Sequence, residues 1–379
     1  MANVKDGEAH GFSLGRRNLL QAASAAMAIP AVARITTAFA QERLAGSGDV
    51  VVFSYGGSFT EGVRRNVYAP YTKATGIKVV DVVADYAEPQ ARAMFQAGRI
   101  DWDVAYVQSE NYPTMRDAGM FAPIDYTLWD QEALQGTPAQ TRRSDAAVVL
   151  GAAMVLAYNQ RAFPNGGPQT WADFWDVKKF PGPRGLYAPQ ATYNIQFALL
   201  ADGVAPKDIW PLTDNKLDRA FRKLEEIKPH ITKWWSAGGE APQLLINGEY
   251  AMTSAWDNRL LVALRQGAPI KTTWEGGTLG YSWAVILKGG PNTVNAQKFL
   301  AFLYRAQTAA GWTQGTGSPG PNINQLKYLP AEVIPNVNVN PDNASKLVVR
   351  DIAWLSLTRP SGKTNLEHIQ ERWLKWRSS

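Results

Sequence analysis

From Asp49 onward, β-branched runs alternate with amphipathic stretches, and this alternation limits the fold more than any other feature of the chain. DVVVFSY, residues 49–55, ends in Gly56-Gly57 and reads as a buried strand. Ser58 or Thr60 is placed to cap a helix running through Thr72, with Val67, Tyr68 and Tyr71 on its inner side. Residues 77–83 predict a second strand, 89–97 a second helix, 102–106 a third strand and 112–118 a further helix. Strand–helix alternation of this kind gives an α/β sheet with helices on its faces. Ligands of such sheets bind beyond the carboxyl ends of the strands. That rule brings Tyr55, Ser58, Ser109 and Glu110 to one rim.

A second block begins after GAAMVLAYN, residues 151–159. TWADFWDVKKFPG opens with Thr170 as an N-cap and stops at Pro181-Gly182. Residues 185–188 are strand-like and 193–200 helical. Leu217, Phe221, Leu224 and Ile227 recur at helical spacing among charges. In KWWSAGGEAPQLLINGEYAMTSAWDNRL, Ser236 reads as an N-cap, followed by a glycine loop and a helix to Asn247. Residues 251–255 then form a strand that delivers Trp256 and Asp257 to the rim. Near the C-terminus, Leu366, Ile369, Trp373 and Trp376 mark one helical face.

The N-terminus has its own logic. Arg16-Arg17 precede a weak apolar run, residues 19–33, which is mostly alanine and is broken by Pro30. It falls short of the roughly 20 apolar residues that span a bilayer. A basic start, this short apolar run and Ala38-Phe39-Ala40 make a signal peptide cleaved after Ala40. Arg16-Arg17 followed by Asn18, Leu19 and Leu20 resembles the twin-arginine export signal, a receptor-read address. Its expected destination is the periplasm.

Removing residues 1–40 takes the net charge from +6 to +4, because Lys5, Arg16, Arg17 and Arg34 leave with Asp6 and Glu8. The remaining charges are scattered, whereas a nucleic-acid footprint needs a clustered basic face. With no cysteine, disulfides, thiolate metal sites and cysteine nucleophiles are excluded. Of the three histidines only His230 and His368 outlast processing, which leaves little for a metal site or a serine triad. GGSFTEG departs from G-x-S-x-G at Thr60, and neither a phosphate-binding loop nor H-E-x-x-H occurs. No cofactor and no metal are expected.

TWADFWDVKKFPGPRGL, WWSAGGEAPQLLINGEYAM, SAWDNRLLVALRQGAPI, NAQKFLAFLYRAQ and GTGSPGPN occur in that order. In these blocks the chain resembles the polyamine-binding periplasmic proteins of bacterial ABC importers. The resemblance implies a two-lobed periplasmic-binding-protein fold of α/β class, each lobe a mixed sheet flanked by helices, joined by hinge strands. It places lobe one at residues 41–152 plus 281–328, and lobe two at 153–280 plus 329–379. Lobes of this kind close over ligand by hinge bending. The implied partners are a small-molecule ligand, the membrane permease and the twin-arginine export machinery, with the receptor a monomer.

Ligand choice departs from the family's pattern. Family acids that hold ammonium groups are replaced by Gly57, Gln190, Tyr193 and Trp283, while Tyr55 and Tyr281 stand where the family has tryptophans and Trp256 matches one. An aromatic cage of Tyr55, Trp256, Tyr281 and Trp283 with Glu110 suits an organic cation. Arg259, with Ser236 and the amides of Gly238-Gly239 at a helix start, suits an anionic group. Glu240 and Asp257 are further charged candidates. A zwitterion would use both ends, so the expected ligand is a cationic or zwitterionic amine compound: polyamine-like, a betaine or an amino-acid derivative. The alternative is an exported hydrolase with Glu110 and Asp257 as a carboxylate pair.

Overall fold

The computed structural model describes residues 43–379, so the signal segment, residues 1–40, lies outside the described residues. Gly46–Ser379 is one compact unit. Its ten strands are β1 (Asp49–Ser54), β2 (Lys78–Val83), β3 (Val104–Gln108), β4 (Phe121–Ala122), β5 (Ala146–Asn159), β6 (Arg184–Tyr187), β7 (Ile231–Trp235), β8 (Met252–Trp256), β9 (Ile270–Leu287) and β10 (Val348–Val349). They form a mixed sheet in the order β2-β1-β3-β9-β5-β8-β6-β7, with β4 and β10 also pairing on β9.

The two longest strands organise everything else. β5 and β9 run antiparallel side by side, Gly151 opposite Tyr281 and Ala152 opposite Gly280. On one side β9 pairs with β3, and β1 bridges β3 to β2 by parallel pairing. On the other, β5 pairs with β8, which leads by parallel pairing to β6 and β7. Each long strand therefore serves both halves of the sheet. β5 is buried almost end to end.

Local sequence accounts for most elements. Thr170 and Asp173 form a reciprocal capping box at Trp171–Trp175, as the Thr170 cap required. Trp171 then stacks on Phe197 with ring centroids 3.5 Å apart. Thr364 and Glu367 make a second box, and Ile369, Trp373 and Trp376 are buried on one face of Asn365–Ser378.

Several elements differ from expectation, among them the helices Ala87–Ala97 and Ala191–Ala201, which start two residues earlier than read. Helical residues 57–75 start at Gly57 and pass through a π turn at Arg64–Tyr68; Thr60 does not cap through the helix but accepts from the Gly56 amide at 2.9 Å. The third strand starts two residues late, because the Asp103 carboxylate takes the Val51 and Asn292 amides at 2.8 and 2.5 Å. The helix Glu240–Ile246 is entered from Gly239, and Ser236 is no cap: the Glu240 carboxylate accepts from Ser236 N at 2.8 Å and Ala237 N at 2.9 Å.

Candidate functional site

β1 and β3 run opposite to β6 and β8, so the two pairs end facing one another over the middle of β5 and β9, where a cleft of about 850 Å³ opens. Each end turns a different side chain into it. After β1, Gly56 and Gly57 adopt φ of 77° and 51°, a left-handed turn that leaves Tyr55 facing the cleft. The Tyr55 ring stands edge-on to Phe53 and Phe59 at 4.9 and 5.1 Å, and burial pushes its phenol above the ordinary range. Beyond β3 comes Glu110. β6 contributes Tyr187, and the helix Ala191–Ala201 that follows contributes Tyr193, with Gln190 at its start. β8 ends in Trp256.

Trp256, Tyr187 and Tyr193 form a three-ring cluster. The Trp256 ring lies 5.4 Å from Tyr193 and 5.9 Å from Tyr187, both edge-on. Burial pushes the Tyr187 phenol up to about 12. Across from them, Gly280, Tyr281 and Ser282 bring the middle of β9 to the cleft floor, where β5 adds Leu150 and Ala152.

The charged centre comes from an unexpected residue. Arg350, which follows β10, forms an ion pair with Glu110; its side chain is 3% exposed and that of Glu110 13%. Arg350 Nη1 also donates to the Tyr193 hydroxyl at 3.1 Å, and the guanidinium lies 5.2 Å from that ring's centre. Burial lowers the guanidinium to about 10. Arg259 and Asp85 are exposed charges at the rim of the same cleft.

A smaller hollow of about 510 Å³ lies between Gly203 and Arg219. Two of its cations are committed: Lys216 donates to the Asp208, Ile209 and Pro211 carbonyls, and Arg219 pairs with Asp202. Among the described residues, no group of three or more metal-ligating side chains gathers.

Residues 66–334 match the family model described as bacterial extracellular solute-binding protein. The chain belongs to that family. It is 32% identical over 312 residues to the gamma-aminobutyric acid-binding protein of Pseudomonas aeruginosa, covering 81% of this chain and 87% of that one. It is 24% identical over 295 residues to the spermidine/putrescine-binding periplasmic protein of Escherichia coli, covering 75% and 82%. An ABC transporter substrate-binding protein from Bradyrhizobium japonicum superposes with a TM-score of 0.76 at 31% identity, covering 87% of this chain and 99% of that one.

This solute-binding protein is thus a receptor of an ABC importer, as expected, and not an enzyme. The hydrolase alternative also lacks its geometry, since Glu110 is paired with Arg350 and Asp257 lies behind the wall. Among the described residues no helix is long and apolar enough to cross a membrane.

Of the expected contact residues, Tyr55, Ser58, Glu110, Gln190, Tyr193, Ser236, Trp256, Arg259 and Tyr281 line the cleft. Four do not. Ser109 is buried, donating to the Tyr281 carbonyl at 2.7 Å and accepting from Trp283 Nε1 at 2.9 Å. Trp283 stacks on Tyr112 at 5.2 Å, so the cage loses that wall and Tyr187 and Tyr193 supply others. Asp257 is buried beneath the start of its helix, accepting from Ala153 N at 3.0 Å and Asn258 N at 2.9 Å. Glu240 pairs with Lys233 at 2.7 Å and accepts from the Ser236 and Ala237 amides in the loop before its helix, contacts that lower its carboxyl to about 2. It takes the Ser236 and Ala237 amides rather than those of Gly238-Gly239, and the cleft's cations are Arg350 and Arg259.

Tyr86, Tyr187, Asn258, Ser318 and Arg350 line the cleft without having been expected. Tyr187 carried a usable signal, as the last residue of a strand ending at the rim. Arg350 carried none, because β10 has only two residues.

Proposed function

We propose that the protein is a periplasmic receptor for a small amine compound, cationic or zwitterionic, which it delivers to the permease of an ABC importer. One observation carries the reading: the cleft sets the acid Glu110 among the aromatic rings of Tyr55, Tyr193, Trp256 and Tyr281. Aromatic faces attract an organic ammonium by roughly 0.5–2 kcal/mol each. A micromolar receptor requires about −8 kcal/mol, so a charge-assisted contact must add to them. Glu110 is the acid placed for it.

A polyamine needs an acid at each ammonium, since an isolated buried charge is very costly. Gly57, Gln190 and Tyr193 offer none. The relative named for gamma-aminobutyric acid supports a shorter amine compound that also carries an acid group.

Residues 41–152 plus 281–328 and residues 153–280 plus 329–379 are two lobes that close over the ligand, with β5 and β9 as the hinge. The protein acts as a monomer. It is exported by the twin-arginine machinery and cleaved after Ala40.

The test is mass spectrometry of small molecules retained by the natively purified protein, followed by calorimetry with amines, betaines and neutral sugars. Retention of an amine compound supports the reading. Tight spermidine binding would remove the distinction from polyamine receptors, and binding to sugars alone would remove the amine reading.

A further inference from the structure

We propose that the Glu110–Arg350 ion pair stands in for the ligand, and that a zwitterion binds by exchanging into it. The ligand's ammonium takes the Glu110 carboxylate, and its carboxylate takes the Arg350 guanidinium. This rests on the reading of the cleft as a site for small amine compounds, and it narrows that class to zwitterions.

The pair lies in the cleft wall and is almost dehydrated, with 3% and 13% of the two side chains exposed. Opening a buried pair by removing one partner leaves an uncompensated charge, which is strongly unfavourable. A cation-only ligand would satisfy Glu110 and strand Arg350. An anion-only ligand would do the reverse. Only a ligand with both charges leaves neither group alone, so the pair selects by penalising the wrong ligand as well as by attracting the right one. Arg259 and Asp85 impose no such penalty, because both are exposed and remain solvated when unpaired.

Arg350 is also built to receive a carboxylate. Nη2 holds Glu110 and Nη1 donates to the Tyr193 hydroxyl, but the buried Nε has no partner. Nε and Nη2 share one edge of the guanidinium, the edge that grips a carboxylate through two parallel bonds. Satisfying Nε is a gain that Glu110 does not supply and a ligand carboxylate would. The surroundings hold the group in place meanwhile. Tyr193 supports its face, and Arg350 N donates to the Leu279 carbonyl at 3.4 Å. Beside it, Gly280 packs close to the group, since a Cβ there would stand in van der Waals contact 3.9 Å from Nε.

The test is calorimetry of the full mature chain with four probes of one carbon count: γ-aminobutyrate, butyrate, butylamine and putrescine. The wild type is expected to bind γ-aminobutyrate about ten-fold or more tighter than each of the others, a difference of ~1.4 kcal/mol or more. Arg350→Gln should weaken γ-aminobutyrate and strengthen butylamine and putrescine, a gain that misfolding cannot imitate. Glu110→Gln should shift preference toward butyrate. Butylamine or putrescine binding as tightly as γ-aminobutyrate to the wild type, or an unchanged preference in Arg350→Gln, would overturn the exchange while leaving the amine reading intact. Failure of all four probes to bind, with no amine compound retained by the natively purified protein, would overturn both.

Discussion

Asn338 ties Asp257 to the long strand β5: its amide nitrogen donates to Asp257 Oδ2 at 2.7 Å and to the Gly151 carbonyl at 2.9 Å. Asp257 also accepts from Ala153 N, so this one carboxylate fastens a helix start, β5 and the C-terminal segment together.

Burial pushes the Asp257 carboxyl up to about 7, against the opposing pull of Ala153 N, Asn338 and Asn258 N. A carboxyl raised above its unfolded value of about 4 favours folding in its protonated form, and that contribution is lost as pH rises from about 4 to about 7. Asp257→Asn, uncharged throughout, should flatten the fall of thermal stability across that window, on the order of a few kcal/mol. Melting curves at both ends of the window measure the slope. An unaltered slope would show that Asp257 ionises freely in the fold.

Gly62 and Gly315 let two helices cross in backbone contact. A Cβ on Gly62 would lie 2.1 Å from the Gly315 carbonyl oxygen. Gly62→Ala should therefore destabilise the protein by about 1–3 kcal/mol or more, as overpacking does. Gly239→Ala, where a Cβ meets nothing within 4 Å, should stay within about 0.5 kcal/mol. Denaturant titration of both variants distinguishes a packing requirement from a general intolerance of alanine.

Trp256 is the ring that meets both Tyr187 and Tyr193. Trp256→Ala should weaken ligand binding about ten-fold or more, equal to ~1.4 kcal/mol or more. Calorimetry with the retained ligand checks it, and wild-type affinity in the variant would place the ligand elsewhere in the cleft.

Lobe closure predicts compaction. Small-angle scattering should give a smaller radius of gyration with ligand than without. Equal radii, with an open apo state demonstrated independently, would remove hinge bending from the mechanism.

Export predicts that Arg16→Lys with Arg17→Lys leaves precursor in the cytoplasm. Cell fractionation reads this directly, and normal export of the double variant would discard the twin-arginine route. The mature protein should begin at Gln41.

What the amino-acid order determined by itself is local. β-branched runs, the Thr170 capping box and the apolar face of the last helix depend on neighbours within a few residues; the box and the face formed where read, and the strands within two residues of it. Alternation also placed Tyr55, Glu110 and Trp256 just beyond strand ends, and those ends converge on the cleft although β1 and β3 run opposite to β8.

Tertiary structure decided which way side chains turn and what meets across the chain. Register shifts in β5 at Val148/Leu150 and Met154/Leu156 interrupt the period-two alternation that would assign faces in its pairing with β9. Within β9, Trp283 packs on Tyr112 while Tyr281 reaches the cleft. Glu240 reads as a free charge, yet it answers the amides of the loop before its helix. Arg350 reads as one surface arginine among many. It becomes the cleft's buried cation only because a two-residue strand docks on β9, a pairing of distant segments that no local pattern encodes.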